Sequence, residues 1–143
     1  MDADLSHQPK YIPDMIKTLD KYNLVIGSRY TKNGGTLNWS LRRRILSRWG
    51  NIYTKMILQI PICDLTAGFA GIDTDYLKKI NLDNIQGTGY AFQGEIKYKL
   101  YKTGAKVKEI PIIFQERTMG QSKVSSNIIK EGLIMPWKLK FKK

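Results

Sequence analysis

The sequence predicts an α/β fold with a mixed sheet flanked by helices, because helical and strand patterns alternate along the chain. Residues 9–19 begin with a proline and repeat apolar side chains at helical spacing, and the short apolar run Leu24–Ser28 follows them. The length of this run and its polar flanks indicate a buried, parallel strand. A strand end, a helix and a second strand together form half of a doubly wound sheet.

The composition is that of one globular domain. The 143 residues are 42% hydrophobic and 25% charged, which suffices for a core. Cys63 is the one cysteine, so no disulfide framework forms and a reducing cytosolic compartment is expected. We expect no signal peptide, because Asp2 and Asp4 replace its basic start, and no membrane span, because no apolar run approaches about 18 residues.

The chain is strongly basic. It carries 24 lysines and arginines against 12 aspartates and glutamates, a net charge of +12. Such an excess attracts polyanions, and nucleic acids, anionic lipids and phosphorylated substrates all qualify. Charge alone does not choose among these partners.

The first residues contain an Asp-x-Asp motif formed by Asp2 and Asp4. Side chains two residues apart share a face of an extended chain, and two carboxylates so placed suit Mg²⁺ or Mn²⁺ bound together with substrate phosphates. A solvated turn is the alternative interpretation of so short a motif. This motif and Ser28-Arg29-Tyr30 are both predicted at the carboxyl ends of strands, where such sheets bind ligands.

A basic helix is predicted over residues 41–60, after a loop at residues 31–40. One side of it is apolar and consists of Leu41, Ile45, Trp49, Ile52, Met56 and Ile57. Its first turns carry Arg42, Arg43, Arg44 and Arg48. These arginines form either a solvated basic face or a phosphate clamp, and cations at a helix N-terminus favour the clamp because an anion is needed to offset them.

Three further elements are predicted between residues 64 and 103. The motif at 64–69 precedes a strand at 70–72, a short helix spans 76–80, and a longer helix runs from Tyr90 to Thr103, where Gly104 stops it. Gln93 and Glu95 lie in the first turns of the longer helix, within reach of a site near its start. The alternative for Glu95 is that it only complements the helix dipole.

The carboxy-terminal third combines an edge strand, a polar segment and a basic helix. Pro111 favours an edge strand over residues 107–114. The polar residues 115–123, with Arg117 and Lys123, fit either a mobile phosphate-gripping lid or an ordinary surface loop. The helix at 125–143 sets apolar residues beside a lysine cluster, which is typical of a helix lying on anionic lipid, with core packing as the alternative. Pro136 is expected to shorten or kink it.

A series of motifs runs through the chain in a fixed order: Asp2-Ala3-Asp4, Gly27-Ser28-Arg29-Tyr30, Asn38-Trp39 with Arg43 and Ser47, Asp64 to Phe69, Gly89 to Glu95, Glu109 to Ile112, and Glu116-Arg117 to Ser122-Lys123. This series closely resembles the polyprenol-phosphate (dolichol-phosphate) mannosyltransferases, family 2 glycosyltransferases of the GT-A (Rossmann-like) fold. The resemblance covers the chain from end to end. It implies that the family's amino-terminal strands, which bind the nucleotide, are missing here.

The resemblance implies a reaction and its participants. Mannose passes from GDP-mannose to a polyprenyl phosphate, dolichyl or undecaprenyl, with inversion. Asp2 and Asp4 are expected to bind the divalent cation, Mg²⁺ or Mn²⁺. Arg29, Arg43 and Ser47 are expected to hold the acceptor phosphate.

The remaining roles concern the donor and the chemistry. By resemblance, Arg117 and Lys123 close over donor and acceptor, and with Asp4 they form the expected catalytic set. Asp64 and Gln93 are expected to contact the sugar or to orient the arginines, within a donor site that also includes Asp2, Asp4 and Arg117. The acceptor is a largely dianionic phosphate monoester that needs no general base. His7, the single histidine, is therefore assigned a structural place in a surface-like turn.

Two segments follow from this interpretation. Residues 1–124 form the metal-binding and acceptor-binding part of the GT-A domain, and residues 125–143 form a basic amphipathic helix at a membrane interface. The expected partners are GDP-mannose, polyprenyl phosphate and an anionic membrane surface, with a membrane-anchoring protein as a further option. The expected location is peripheral, on the cytosolic face of a membrane.

Other functions stay open at this point. One alternative within the same enzyme class is the transfer of glucose or another sugar to a lipid phosphate. A chain without the nucleotide-binding half is alternatively a catalytically inactive fragment. A basic nucleic-acid-binding module explains the charge, but no RNA-recognition, KH or zinc-finger signature is present, so no nucleic-acid partner is expected.

Overall fold

A three-stranded mixed sheet forms the centre of the fold. The computed structural model describes residues 6–116 and 126–141, with only the backbone described at 126–128. Strand β1 (Leu24–Ser28) is central, and all five of its residues are buried. Strand β3 (Ala70–Ile72) pairs with β1 antiparallel, and β4 (Val107–Pro111) pairs with it parallel. These pairings confirm the predicted mixed α/β class.

Five helices occur in the described parts of the chain, and they lie close to their predicted places. They are α1 (Ile12–Leu19), α2 (Leu41–Leu58), α3 (Thr74–Leu77), α4 (Gly89–Lys102) and α5 (Ser126–Phe141). Short 3₁₀ turns precede α1 at Pro9–Tyr11 and lie before α4 at Leu82–Asn84. None of the described helices is long and apolar enough to cross a membrane.

A second, two-stranded sheet corrects the predicted loop at residues 31–40. Strand β2 (Gly35–Leu37) lies inside that loop and pairs parallel with β5 (Ile113–Gln115). The predicted single strand over 107–114 is therefore divided at Ile112. The amide of Ile112 donates to the carbonyl of Ser28 at 3.1 Å, and its carbonyl accepts from the amide of Gly35 at 3.0 Å. Ile112 thus joins the two sheets.

The core lies on both faces of β1, because side chains alternate along a strand. Leu24 and Ile26 pack into the larger cluster, which contains buried residues of α2, α4 and α5 and of the turn after α2. Val25 packs into a smaller cluster with Met15 and Phe69. Burial on both sides explains why β1 is an uninterrupted apolar run.

Helix α2 exposes most of its predicted apolar side. Only Ile57 of the six predicted residues is buried; the other five are 40–72% exposed. Asn51 and Leu58 supply the remaining buried contacts of α2. The helix begins at the N-cap Ser40, whose hydroxyl accepts from the amide of Arg43, and ends at Gln59 in the left-handed conformation, before Pro61.

Helix α5 continues through Pro136 to Phe141, so the predicted shortening does not occur. Met135 and Leu139 are buried in the larger core cluster. The indole N–H of Trp137 donates to the hydroxyl of Tyr53 at 2.9 Å, and that hydroxyl donates to the carbonyl of Leu133 at 3.0 Å. Both α2 and α5 expose apolar side chains, and we call these the exposed apolar surface: Leu41, Ile45, Trp49, Ile52 and Met56 of α2, and Leu133, Ile134, Trp137 and Phe141 of α5.

Candidate functional site

The centre of the site is a buried ion pair between Arg29 and Asp64. Arg29 follows β1 directly and is 7% exposed, and Asp64 is fully buried. Nε of Arg29 lies 2.8 Å from Oδ2 of Asp64, and Nη2 lies 2.7 Å from Oδ1. The amide of Arg29 donates to the same carboxylate at 2.9 Å. Burial opposes the charge of Arg29, but the bonds to Asp64 outweigh it and raise the pKa of the guanidinium.

The segment that carries Asp64 is held by side chains from two other elements. Glu109 of β4 accepts from the amides of Cys63 and Asp64 at 2.8 and 2.9 Å. Oδ1 of Asn51 in α2 accepts from the amides of Leu65 and Thr66. These bonds satisfy the amides of a buried turn and fix the direction of the carboxylate that meets Arg29.

Trp39 brings a second arginine to this pair. The guanidinium carbon of Arg43 lies 4.1 Å from the centre of the Trp39 ring, and that of Arg29 lies 5.3 Å from it. Phe114 of β5 packs edge-on against the same ring at 5.4 Å. The indole therefore holds two cations in one cluster, at a distance where aromatic rings attract them.

Arg43 and Ser47, one turn apart on α2, both have partners in this cluster. Arg43 forms an ion pair with Glu116, the residue directly after β5. The hydroxyl of Tyr30 donates to that of Ser47 at 2.6 Å. Burial raises the pKa of the Tyr30 phenol, although Arg29 and the Ser47 bond lower it in part. The structure thus brings together Arg29, Arg43 and Ser47, the residues that the family resemblance implies for one phosphate.

The residues of the Asp-x-Asp motif lie outside the described residues, as do Arg117 and Lys123. The described chain begins at Ser6, whose carbonyl accepts from the amide of Gln115 at 3.2 Å. His7 is 3% exposed and packs against Phe69 and Phe114, so the predicted surface-like turn is wrong for this residue. Across residues 6–116 and 126–141 no group of three or more side chains is arranged to hold a metal ion.

The two polar residues predicted at the start of α4 have different surroundings. Glu95 is 1% exposed, and its carboxylate accepts from the amides of Gln86 and Gly87 and pairs with Lys99. Burial raises the pKa of Glu95, but these bonds outweigh it and lower the pKa overall. Glu95 therefore holds the turn before α4. Gln93 is partly buried on the same helix.

An apolar cleft opens between α2, α4 and α5, beside the Arg29 cluster. Its lining includes Leu58 of α2, Tyr90 of α4 and Met135 of α5. Thr66 also lines it, and Nη2 of Arg29 donates to the hydroxyl of Thr66 at 2.8 Å. One residue thus connects the cleft to the ion pair.

Three polar residues near the site carry no functional prediction from the sequence: the buried Asn51 and Lys97, and the half-buried Glu109. Asn51 and Lys97 lie inside helices, where polar residues usually face water, and Glu109 lies in a strand that alternates imperfectly. Lys97 is the most unusual of the three, because a lysine is almost never fully buried.

The chain is similar to known proteins over most of its length. The family model described as Glycosyl transferase family 2 matches residues 1–81. An undecaprenyl-phosphate mannosyltransferase of Micrococcus luteus is 37% identical over 134 residues, which cover 94% of this chain and 55% of the relative. A polyprenol monophosphomannose synthase of Mycolicibacterium smegmatis is 38% identical over 134 residues, covering 93% of this chain and 51% of the relative. The chain spans about half the length of these curated relatives. It belongs to glycosyltransferase family 2.

Proposed function

We propose that the complete protein transfers mannose from GDP-mannose to a polyprenyl phosphate, with inversion and with a divalent cation. The names of the two relatives support this choice of acceptor and sugar. The observation that carries the proposal is the position of Arg29 and Arg43 against one ring, that of Trp39. Two guanidiniums held together form an environment suited to a dianionic phosphate.

The acceptor phosphate takes the place that Glu116 occupies at Arg43 in our proposal. The carboxylate of Glu116 marks the anion position at Arg43 in this proposal, because carboxylates and phosphates both offer two oxygens that accept paired N–H donors from a guanidinium. Arg29 adds positive charge behind this position while Asp64 keeps its guanidinium in one orientation. The hydroxyls of Tyr30 and Ser47 lie in the same cluster and offer neutral donors.

The reaction then needs little acid or base chemistry. A phosphate monoester is largely dianionic at neutral pH and attacks the anomeric carbon through one of its own oxygens. The bond from that carbon to the diphosphate breaks, and GDP leaves with the bonding electrons. The protein's main task is to hold two anions side by side, and nearby cations lower their repulsion.

Asp2 and Asp4 remain our proposed cation ligands, on the strength of the sequence motif. A bound Mg²⁺ or Mn²⁺ stabilises negative charge on a leaving diphosphate. We propose Arg117 and Lys123 as further cations for the donor, and Gln93 as a sugar contact. For Asp64 we choose the orienting role over a sugar contact, because both of its oxygens accept bonds from Arg29.

We further propose that the exposed apolar surface docks on an anionic membrane. Exposed cations lie on the same two helices, namely Arg42, Arg44 and Arg48 of α2 and Lys130, Lys138 and Lys140 of α5. Apolar side chains with Trp beside clustered cations are typical of helices that lie in the lipid interface. The cleft beside Thr66 opens between the same two helices and would accept the first units of the lipid chain.

A product assay tests this function. The complete protein is incubated with GDP-mannose, Mg²⁺ and polyprenyl phosphate in anionic vesicles, and the lipid product is identified by mass. We expect polyprenyl phosphate mannose from the unchanged protein and from the control K102A, whose lysine is exposed at the end of α4, outside the Arg29 cluster and outside the proposed docking surface. The variant R43A should lose at least about 100-fold in rate, as expected for an ionic contact to the reacting group. Full activity of R43A, or a hexose product only from another nucleotide sugar, would overturn the proposal.

A further inference from the structure

Lys97 is a buried lysine whose ammonium group contacts the segment 63–67, which carries Asp64. It lies on α4 and is 1% exposed. Its Nζ lies 2.9 Å from the carbonyl oxygen of Leu65, 2.6 Å from that of Ala67 and 3.4 Å from that of Gln93. Within the described residues it has no carboxylate partner at ion-pair distance. The hydrogen bonds that the structure shows for its ammonium group therefore all go to backbone carbonyls.

The two carbonyls of the segment flank the residue that Arg29 contacts. Leu65 and Ala67 lie on either side of Thr66, whose hydroxyl accepts from Nη2 of Arg29 at 2.8 Å. Asn51 and Glu109 bind amides of the same segment. The segment is thus held through its amides from α2 and β4, and through its carbonyls from α4.

Stability does not explain why this position is a lysine. Replacing a buried charge by an apolar side chain of similar size is often neutral or stabilising. An ammonium group, however, supplies three N–H donors, one for each of the three carbonyls. A methionine supplies none, and a neutral amine supplies two and turns a lone pair towards the third carbonyl.

We infer that Lys97 is a positioning residue, which sets the carbonyls of Leu65 and Ala67 and thereby the geometry in which Asp64 and Thr66 receive Arg29. The positioning itself stands on the contacts of Lys97. Its consequence for the acceptor phosphate rests on the function proposed above.

Titration of Lys97 offers a way to observe this coupling. Burial lowers the pKa of Lys97 to about 7; Asp64 and Glu109 raise it in part, and Arg29 lowers it further. These three charged groups face Lys97 from the turn after α2, from β4 and from the end of β1. Near neutral pH the lysine therefore changes from three donors to two.

Nuclear magnetic resonance of the complete protein tests the inference without any activity assay. The reporters are the methyl signals of Leu65 and Thr66 and the Nε–H signal of Arg29, followed from pH 5.5 to 9 in the unchanged protein, in K97M and in K102M. Lys102 is an exposed lysine at the end of the same helix and serves as the control. The unchanged protein and K102M should show a methyl titration with a midpoint near 7. K97M should lack that titration and should show a shifted Arg29 signal at every pH.

Three results would overturn the inference. Methyl signals that do not titrate in the unchanged protein would overturn the inference even if K97M failed to fold. A titration that persists in K97M, or an unshifted Arg29 signal there, would overturn it as well.

Kinetics then connect the positioning to the acceptor. K97M should raise the KM for polyprenyl phosphate about tenfold, because a displaced binding group loses much of its contact energy. The KM for the nucleotide sugar should stay within about twofold, since a general loss of structure would change both constants. Changed resonances with an unchanged acceptor KM would confirm Lys97 as a positioning residue and would contradict the acceptor role proposed for Arg29.

Discussion

Arg29 and Asp64 form a paired contact in which both carboxylate oxygens accept from one guanidinium, at 2.7 and 2.8 Å, with both side chains buried. Arg29 is the residue directly after β1, and Asp64 lies in the turn after α2. The pair therefore connects the central sheet to this turn. Its charges are nearly balanced, and the remaining positive charge of the cluster comes from Arg43. In our proposal, this pair keeps its geometry while Arg43 exchanges Glu116 for the acceptor phosphate.

Replacing Asp64 by asparagine tests this balance. D64N keeps the shape of the side chain but leaves the Arg29 cation buried without its counter-charge, which costs about 3 kcal/mol of unfolding free energy. Chemical denaturation measures this loss directly. The control D75N removes the same charge from an exposed pair with Lys78 and should unfold like the unchanged protein. Equal midpoints for D64N and D75N would contradict the structural importance of the pair.

Replacing Glu116 by glutamine tests the exchange at Arg43. E116Q removes the carboxylate that competes with the acceptor phosphate, so the KM for polyprenyl phosphate should fall about threefold, in keeping with the modest energy of a partly exposed ion pair. Steady-state kinetics of the complete protein measure the change. D83N, which removes one negative charge from the exposed turn Leu82–Asn84, controls for net charge. A higher KM for E116Q would mean that Glu116 orients Arg43 instead of competing for it.

The pKa of Lys97 predicts a pH dependence of stability. The folded value, about 7, lies below the value of about 10.4 expected for an unfolded lysine. Between these values the unfolded chain binds one more proton than the folded chain, so this group makes the unfolding free energy rise with pH. Below pH 7 both states are protonated and the cost of burying the cation is fully present.

Denaturation at pH 6, 7, 8 and 9 measures this contribution as the difference between the unchanged protein and K97M. The difference should move in favour of the unchanged protein above pH 7, by about 1 kcal/mol per pH unit. A difference that stays constant with pH would show that Lys97 keeps an ordinary pKa in the folded protein.

The exposed apolar surface predicts a membrane phenotype. Trp49 is 66% exposed on α2, and W49E places a negative charge in the centre of the proposed lipid contact. Binding to vesicles that contain anionic lipid should fall at least about tenfold, because the variant loses apolar burial and gains repulsion. I16E changes an equally exposed residue of α1 and should bind as the unchanged protein does. Sedimentation with vesicles distinguishes the two, and equal binding of both variants would contradict membrane docking through α2.

Local patterns predicted much of the fold. The run at β1 was recognisable because a strand buried on both faces needs consecutive apolar residues. The ends of α2 and α4 lie within two residues of the predicted ends, because Pro61 and Gly104 are local stop signals that the sequence shows directly. Strand β2 escaped prediction because its three residues have no pattern of their own and depend on pairing with β5.

Some side chains of the site could be identified from the sequence, and others could not. Arg29, Arg43 and Ser47 were recognisable through their place in a series of motifs. Lys97 was not, because a lysine on a helix is usually solvated and only the surrounding carbonyls distinguish this one. The sequence also identified the apolar side of α2 without indicating that it faces outward, since periodicity shows that a face exists but not what covers it.

Binding of a short lipid phosphate to Arg43 tests the central claim most directly. Farnesyl phosphate is titrated into the complete protein, with farnesol as the uncharged control, and the side-chain signals of Arg29, Arg43 and Glu116 are followed by nuclear magnetic resonance. We predict a saturable shift of Arg43 and Glu116 with the phosphate alone, as the carboxylate is displaced, and a smaller shift of Arg29, which keeps Asp64. Signals of Arg43 that stay unchanged with farnesyl phosphate, or that change equally with farnesol, would contradict the proposed acceptor site.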